Sequence, residues 1–184
     1  MPTDPLGAAL LGLARQSIAK HFGQSGAWQE PPPLQELAQP GATFVTLTQE
    51  GMLRGCIGSL QAHRPLADDV KANALAAAFH DPRFPPLAPE ELARTRIEVS
   101  LLSAAQPFVV ADEADARKRL RPGLDGVILR YGTHRATFLP QVWETLPDPR
   151  DFLAQLKQKA GLPRDFWAPQ IVLERYSVRK WKED

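Results

Sequence analysis

The chain holds one cysteine, in the stretch Met52-Leu53-Arg54-Gly55-Cys56-Ile57-Gly58-Ser59-Leu60. A thiol attacks as its thiolate, and a permanent cation close by favours that form. Side chains alternate faces along a strand, which predicts that Arg54 and Cys56 share one, with α-carbons on the order of 6.6 Å apart. Gly55 and Gly58 bring no side chain, and a glycine inside a strand often marks close approach by a ligand or another backbone. Cys56 and Arg54 are therefore candidate catalytic residues, with Arg54, Gly55 and Gly58 as candidate ligand contacts. A second reading stands beside this one. Free cysteine is among the most buried residue types and often acts as a small hydrophobe, while strand glycines also mark bulges and tight bends.

A second group of reactive types lies in Asp81-Pro82-Arg83-Phe84-Pro85-Pro86-Leu87. Its three prolines fix φ and remove backbone donors, so the loop is stiff. Rigid loops display functional side chains. Arg83 could clamp a carboxylate or phosphate, and Asp81 or His80 could act as a base. Equally, Asp81 and Arg83 could bond the loop to itself. Glu98, in the alternating run Arg96-Ile97-Glu98-Val99-Ser100-Leu101, shares a face with Ser100 and is a further candidate acid or base. His21, His63, His80 and His134 are scattered, and none is identifiable as a partner for the thiol. One cysteine and four dispersed histidines fall short of any ligand motif, so no metal is expected and no cofactor is indicated.

The elements that must position these groups are legible in order. Asp4-Pro5 is a helix start, with a capping oxygen and a proline at the first helical position. Leu6, Leu10, Leu13, Ile18 and Phe22 follow on one stripe, and Gly23 supplies the stop. Pro31-Pro32-Pro33 routes the chain. The runs 42–48 and 52–60, joined across Gln49-Glu50-Gly51, read as a β-hairpin. A helix then turns Leu66, Val70, Ala74, Ala77 and Ala78 inward, a short helix covers Pro89 to Ala93, and the Glu98 strand follows. Ala111 to Leu120 is a polar helix capped by Asp112, with Arg117, Lys118, Arg119 and Arg121 as a solvated face. A second hairpin runs from Val127 through Tyr131-Gly132-Thr133 to Leu139. Asp148-Pro149 opens a helix with Phe152, Leu153, Leu156 and Ala160 inward. A last strand, Ile171 to Val178, precedes a charged tail carrying Trp181.

Hairpin, helix and strand therefore recur over 42–103 and 126–178, a repeat of pattern rather than of residues. Hairpin-joined strands with helices on one side argue for an α+β architecture. If the repeats pair, one mainly antiparallel sheet holds both hairpins. At 184 residues, 43% hydrophobic and 23% charged, the chain is expected to form one domain with a sizeable core. A net charge of +1 gives no electrostatic reason for tight nucleic-acid binding, and the Arg117–Arg121 cluster lacks the interleaved aromatics of single-strand binders. No apolar run is long enough to span a bilayer, and Met1-Pro2-Thr3-Asp4-Pro5 lacks the basic region of a secretory signal. A lone cysteine suits a reducing cytoplasm.

Read together, the Met52–Gly58 block, the Asp81–Leu87 block and Ile97-Glu98-Val99-Ser100-Leu101-Leu102-Ser103 resemble the AMMECR-one family, whose prokaryotic members are called AmmeMemoRadiSam system protein A. Gly126-Val127-Ile128-Leu129, Phe138-Leu139-Pro140-Gln141-Val142-Trp143, and Phe152-Leu153 leading to Lys159-Ala160-Gly161-Leu162 extend the match over nearly the whole chain. The resemblance implies a two-repeat α+β fold with a single curved, barrel-like sheet. It implies association with a Memo-type protein and a radical S-adenosylmethionine protein, without assigning this component a step. Among matching positions, Arg54, Gly55, Gly58, Arg83 and Gln141 become candidate ligand contacts, and Cys56, Arg54, Asp81 and Glu98 candidate catalytic residues. Two functions are compatible with these residues. One is an enzyme or enzyme component using Cys56 as a reactive thiol. The other is a non-catalytic binding or adaptor module in which Cys56 is structural.

Overall fold

The computed structural model describes residues 4–26 and 28–184. In chain order the elements are helix α1 (Pro5–His21), helix α2 (Gln35–Ala38), strands β1 (Ala42–Gln49) and β2 (Met52–Gly58), and helix α3 (Leu66–Phe79). A 3-10 turn (Pro89–Arg94) leads into β3 (Thr95–Leu102), β4 (Gln106–Pro107) and helix α4 (Glu113–Arg119). Strands β5 (Gly126–Tyr131) and β6 (His134–Phe138), a second 3-10 turn (Pro140–Glu144), helix α5 (Pro149–Lys159), β7 (Val172–Tyr176) and β8 (Val178–Lys182) complete the chain. Two compact units result. Residues up to 102 together with 179–184 make the first, and residues 103–178 the second.

In the first unit the sheet order is β2-β1-β3-β8. Asp4 caps α1 by accepting the Leu6 N–H at 3.0 Å, and Pro5 takes the first helical position. Leu10 and Ile18 of α1 and Val70 and Ala74 of α3 pack against Val45, Leu47, Ile97 and Val99 of the sheet, all fully buried. Each large side chain so buried contributes about 1.5–3 kcal/mol. Burial alternates along β3, with Thr95, Ile97 and Val99 inward and Arg96 and Glu98 on the other face. The terminal residues, expected as a tail, instead form strand β8 beside β3. There Trp181 lies against α1 so closely that a Cβ on Gly7 would fall 2.2 Å from its ring. Beyond the strand, Glu183 holds Arg15 through Nε at 2.6 Å and Nη2 at 2.5 Å, and accepts the Ile97 N–H at 2.9 Å. Backbone pairing and a bidentate ion pair thus override the tail's charged composition.

In the second unit the order is β4-β7-β5-β6. Asp148 caps α5 by accepting the Arg150 N–H at 2.8 Å, and Pro149 takes the first position. Trp143 stacks on Phe152 at 3.7 Å and donates its indole N–H to Asp125 O at 2.8 Å. In both units the third strand of the hairpin–helix–strand series pairs antiparallel with the hairpin's first strand, β3 with β1 and β7 with β5. That pairing fills the open flank of each hairpin from within its own unit. Two separate four-stranded sheets therefore take the place of the single barrel-like sheet expected, and neither closes into a barrel. Among the described residues, no helix is long and apolar enough to cross a membrane.

Candidate functional site

The register of the first sheet sets the geometry. Thr46 is the cross-strand partner of Cys56 on one side and of Glu98 on the other, so Cys56, Thr46 and Glu98 form one row across β2, β1 and β3. This row lies on the face opposite the buried Val45, Leu47, Ile97 and Val99. The half-buried Cys56 Sγ sits 3.1 Å from Thr46 Oγ1, and either group can be the donor. Glu98 is also half-buried and makes no hydrogen bond or ion pair among the described residues.

Strand β2 is an edge, so backbone groups on its outer flank need partners from elsewhere. The Asp81 loop supplies them at Cys56. Asp81 Oδ2 accepts the Cys56 N–H at 2.9 Å and Arg83 Nη2 at 2.8 Å, while Oδ1 accepts the Arg83 backbone N–H and Nε, each at 3.0 Å. Arg83 Nη2 also lies 3.5 Å from Cys56 O. The Asp81 side chain is 2% exposed and that of Arg83 56%, so a buried carboxylate anchors an accessible cation beside the cysteine. The Arg83 side chain above all, with the N–H groups of Cys56 and Arg83, holds the Asp81 carboxyl far below the usual carboxylate range against the opposing effect of burial. Such a group is a poor proton acceptor near neutral pH. Asp81 also raises the Arg83 pKa, chiefly by hydrogen bonding, burial opposes it, and the charge of Cys56 adds to the increase.

Arg54 is elsewhere. A bulge at Leu47/Thr48 leaves Arg54 between the Gly55–Leu47 and Leu53–Thr48 pairs, which breaks the alternation behind its expected pairing with Cys56. Its guanidinium instead makes a bidentate pair with Glu91 of the first 3-10 turn, Nε to Oε1 and Nη2 to Oε2, each at 3.0 Å. Gln49 joins the same carboxylate at 3.2 Å and donates to Thr95 Oγ1 at 3.0 Å, and the Ala88 N–H reaches Glu91 at 2.7 Å. Arg54 foremost, with the Ala88 N–H and Gln49, lowers the Glu91 pKa to about 2 against the effect of burial. The Arg54 charge is thus matched within a network that ties β1, β2 and β3 to the turn. Nothing in the Met52–Gly58 stretch identifies Glu91 as a partner.

The two glycines make room for neighbouring protein groups. A Cβ on Gly55 would lie 2.1 Å from Ala77 O in α3, and one on Gly58 2.2 Å from the Phe44 ring. Gln141 is exposed in the second unit. His80 is exposed at the end of α3, His21 stacks on Phe79 at 4.0 Å, and His134 Nδ1 is 2.8 Å from Ala160 O. The one side-chain hydrogen bond of the thiol goes to Thr46. Among the described residues, no group of three or more His, Cys, Asp or Glu is placed to hold a metal ion.

Relatives share this chain over nearly its full length. A Methanothermobacter thermautotrophicus protein is 39% identical over 181 residues, covering 97% of this chain and 94% of its own. A Methanopyrus kandleri protein is 33% identical over 187 residues, covering 97% and 88%. The crystal structure of an uncharacterized protein from Pyrococcus horikoshii superposes with a TM-score of 0.81 at 30% identity, covering 99% of this chain and 93% of that one. The AMMECR1 family model matches residues 11–181, and with it the sheet face, the Asp81 loop and both units described above, so the chain belongs to the AMMECR1 family.

Proposed function

We propose that the outer face of the first sheet is a thiol-centred binding site for a small molecule or chain segment that carries an anionic group. The observation that carries this reading is the row Cys56–Thr46–Glu98 with Arg83 fixed beside it by the buried Asp81. Neighbouring strands are about 4.8 Å apart, so a ligand atom over Thr46 is within reach of both the thiol and the Glu98 carboxylate. Arg83 provides the anion contact, Cys56 the nucleophile and Glu98 the acid or base. Asp81 and Arg54 are positioning residues. The prokaryotic family resemblance supplies the setting, one component working with a Memo-type protein and a radical S-adenosylmethionine protein.

A specific observation favours the adaptor reading as the second choice. Met52 and Leu60, at the two ends of the cysteine stretch, are 73% and 48% exposed, and Leu53 is 42% exposed. Apolar side chains displayed around one strand suit a protein partner.

The test is alkylation of Cys56 against pH in the native protein and in Arg83→Ala. A lone cysteine makes the readout unambiguous. The thiol site predicts labelling of the folded chain and a slower rate at neutral pH in the variant. Labelling only after unfolding sinks it. The adaptor reading then predicts co-elution with the Memo-type protein that alkylation does not affect.

A further inference from the structure

Two hollows in the first unit lie away from the cysteine face and flank a single indole. One, of about 750 Å³, is walled by α1 through Leu11, Gly12 and Ala19, and by Trp28, Leu92 and Ala93. Its volume falls within the range of small-molecule sites, and its walls at these positions are apolar. Gly12 is what admits the indole, since a Cβ there would lie 2.4 Å from Trp28 Nε1. A helix-interior glycine costs roughly 0.5–1 kcal/mol relative to alanine, so α1 yields stability to seat the ring. The floor is rigid. Arg15 donates to Glu183, to Leu92 O at 3.2 Å and to Thr95 O at 2.7 Å.

The second hollow, of about 410 Å³, shares Gln16, Lys20 and Trp28 with the first and adds Ser17, Glu30 and Lys71. Lys20 and Lys71 form no hydrogen bond or ion pair among the described residues. The pair of hollows therefore offers a slot that is apolar at Leu11, Trp28, Leu92 and Ala93, with Glu90 also in its lining and Glu183 paired to Arg15, and an end where two unmatched ammonium groups stand against one carboxylate, Glu30.

From this we infer that α1, Trp28 and the first 3-10 turn form a second binding site, separate from the cysteine face, for a small amphipathic anion. Its apolar body lies against Trp28, Leu11 and Ala93, and its carboxylate or phosphate end faces Lys20 and Lys71. The slot carries binding by removing apolar surface from water, and the lysines add a preference for an anion by supplying charge.

The probe is anilinonaphthalene sulfonate, an aromatic body with one anionic group, titrated by its fluorescence into the full chain. Its uncharged counterpart, phenylnaphthylamine, is titrated in parallel. The site predicts one bound sulfonate per chain. Lys20→Ala with Lys71→Ala should weaken the sulfonate about five- to tenfold, as loss of two partly screened contacts requires, and leave the uncharged probe unchanged. Ala93→Trp, which fills the slot from an exposed position, should abolish binding of both. Competition by decanoate identifies a carboxylate ligand and competition by naphthyl phosphate a phosphate ligand. Sulfonate binding that ignores Ala93→Trp, an equal loss of both probes in the lysine variant, or failure of both competitors would overturn the proposal.

Discussion

Replacing Asp81 by asparagine removes one oxygen and one charge from the point where the loop meets the edge strand. Oδ2 accepts two bonds, from the Cys56 N–H at 2.9 Å and from Arg83 Nη2 at 2.8 Å, and an amide nitrogen in that place confronts both with a donor. A hydrogen bond to a charged group is worth about 1.5–3 kcal/mol. The Cys56 contact keeps most of that value because the carboxylate is buried. The Arg83 side chain is 56% exposed and returns to water, so its share falls to that of a surface pair, below about 1 kcal/mol. The expected loss is therefore about 2–3 kcal/mol in urea unfolding at neutral pH. The pH dependence supplies an independent check. The folded pKa of Asp81 is depressed, so its contribution is complete above the ordinary carboxylate pKa of about 4 and fades as acid approaches the lowered value. The gap between wild type and Asp81→Asn should therefore narrow below pH about 4. A loss under about 0.5 kcal/mol at neutral pH, or a gap that stays constant into acid, refutes the argument that this carboxylate secures Cys56.

The remaining expectations rest on single contacts. Gly55→Ala drives a methyl group into the Ala77 carbonyl of α3, which cannot swing away, and should cost at least about 2 kcal/mol in the same unfolding assay. Glu91→Gln leaves Arg54 without its bidentate partner in a site where both side chains are mostly buried, with an expected loss of about 2–3 kcal/mol. Because the wild-type Glu91 pKa is about 2, that loss should be full at neutral pH and shrink as the pH falls from about 4 towards 2. Truncation after Val178 deletes Trp181 and the Glu183 clamp on Arg15 and Ile97, and should abolish slow amide exchange in α1 and β3. In the second unit, Glu113→Gln strips the fully buried Lys157 of its carboxylate and should cost about 3 kcal/mol by thermal unfolding. Lys157→Met should cost less than about 1 kcal/mol, since Arg117 still matches Glu113.

Local chemistry made much of the fold readable. Asp4-Pro5 and Asp148-Pro149 are self-contained helix starts, because a capping oxygen and a fixed φ act within two residues, and both are found in that role. The inward sets of α1, α3 and α5 follow from helical spacing alone. Reading failed where one element depends on a distant one. A bulge is a count of residues against the partner strand, so no residue of β2 announces it, and the alternation that paired Arg54 with Cys56 breaks there. Glu91 reaches Arg54 across 37 positions from a turn. Strand β8 is basic at three of its five residues and looks like a tail. The cue lay in Trp181, an aromatic ring that a solvated tail has no use for and that fits against Gly7.

The same distinction bears on which residue of the site should be read as reactive. A carboxylate beside a cysteine invites assignment as its base, yet Asp81 accepts four hydrogen bonds and is held ionised far below the range in which it could take up a proton. Glu98 offers the contrast. It is half-buried, carries no partner among the described residues, and stands in register with Cys56 across Thr46. A group saturated with donors holds structure, whereas one left unpaired two strands from the thiol keeps its oxygens free for a ligand lying over Thr46. The most heavily bonded acid in the first unit's loop is thus the support, and the acid with no bonds is the one a ligand on this face would meet.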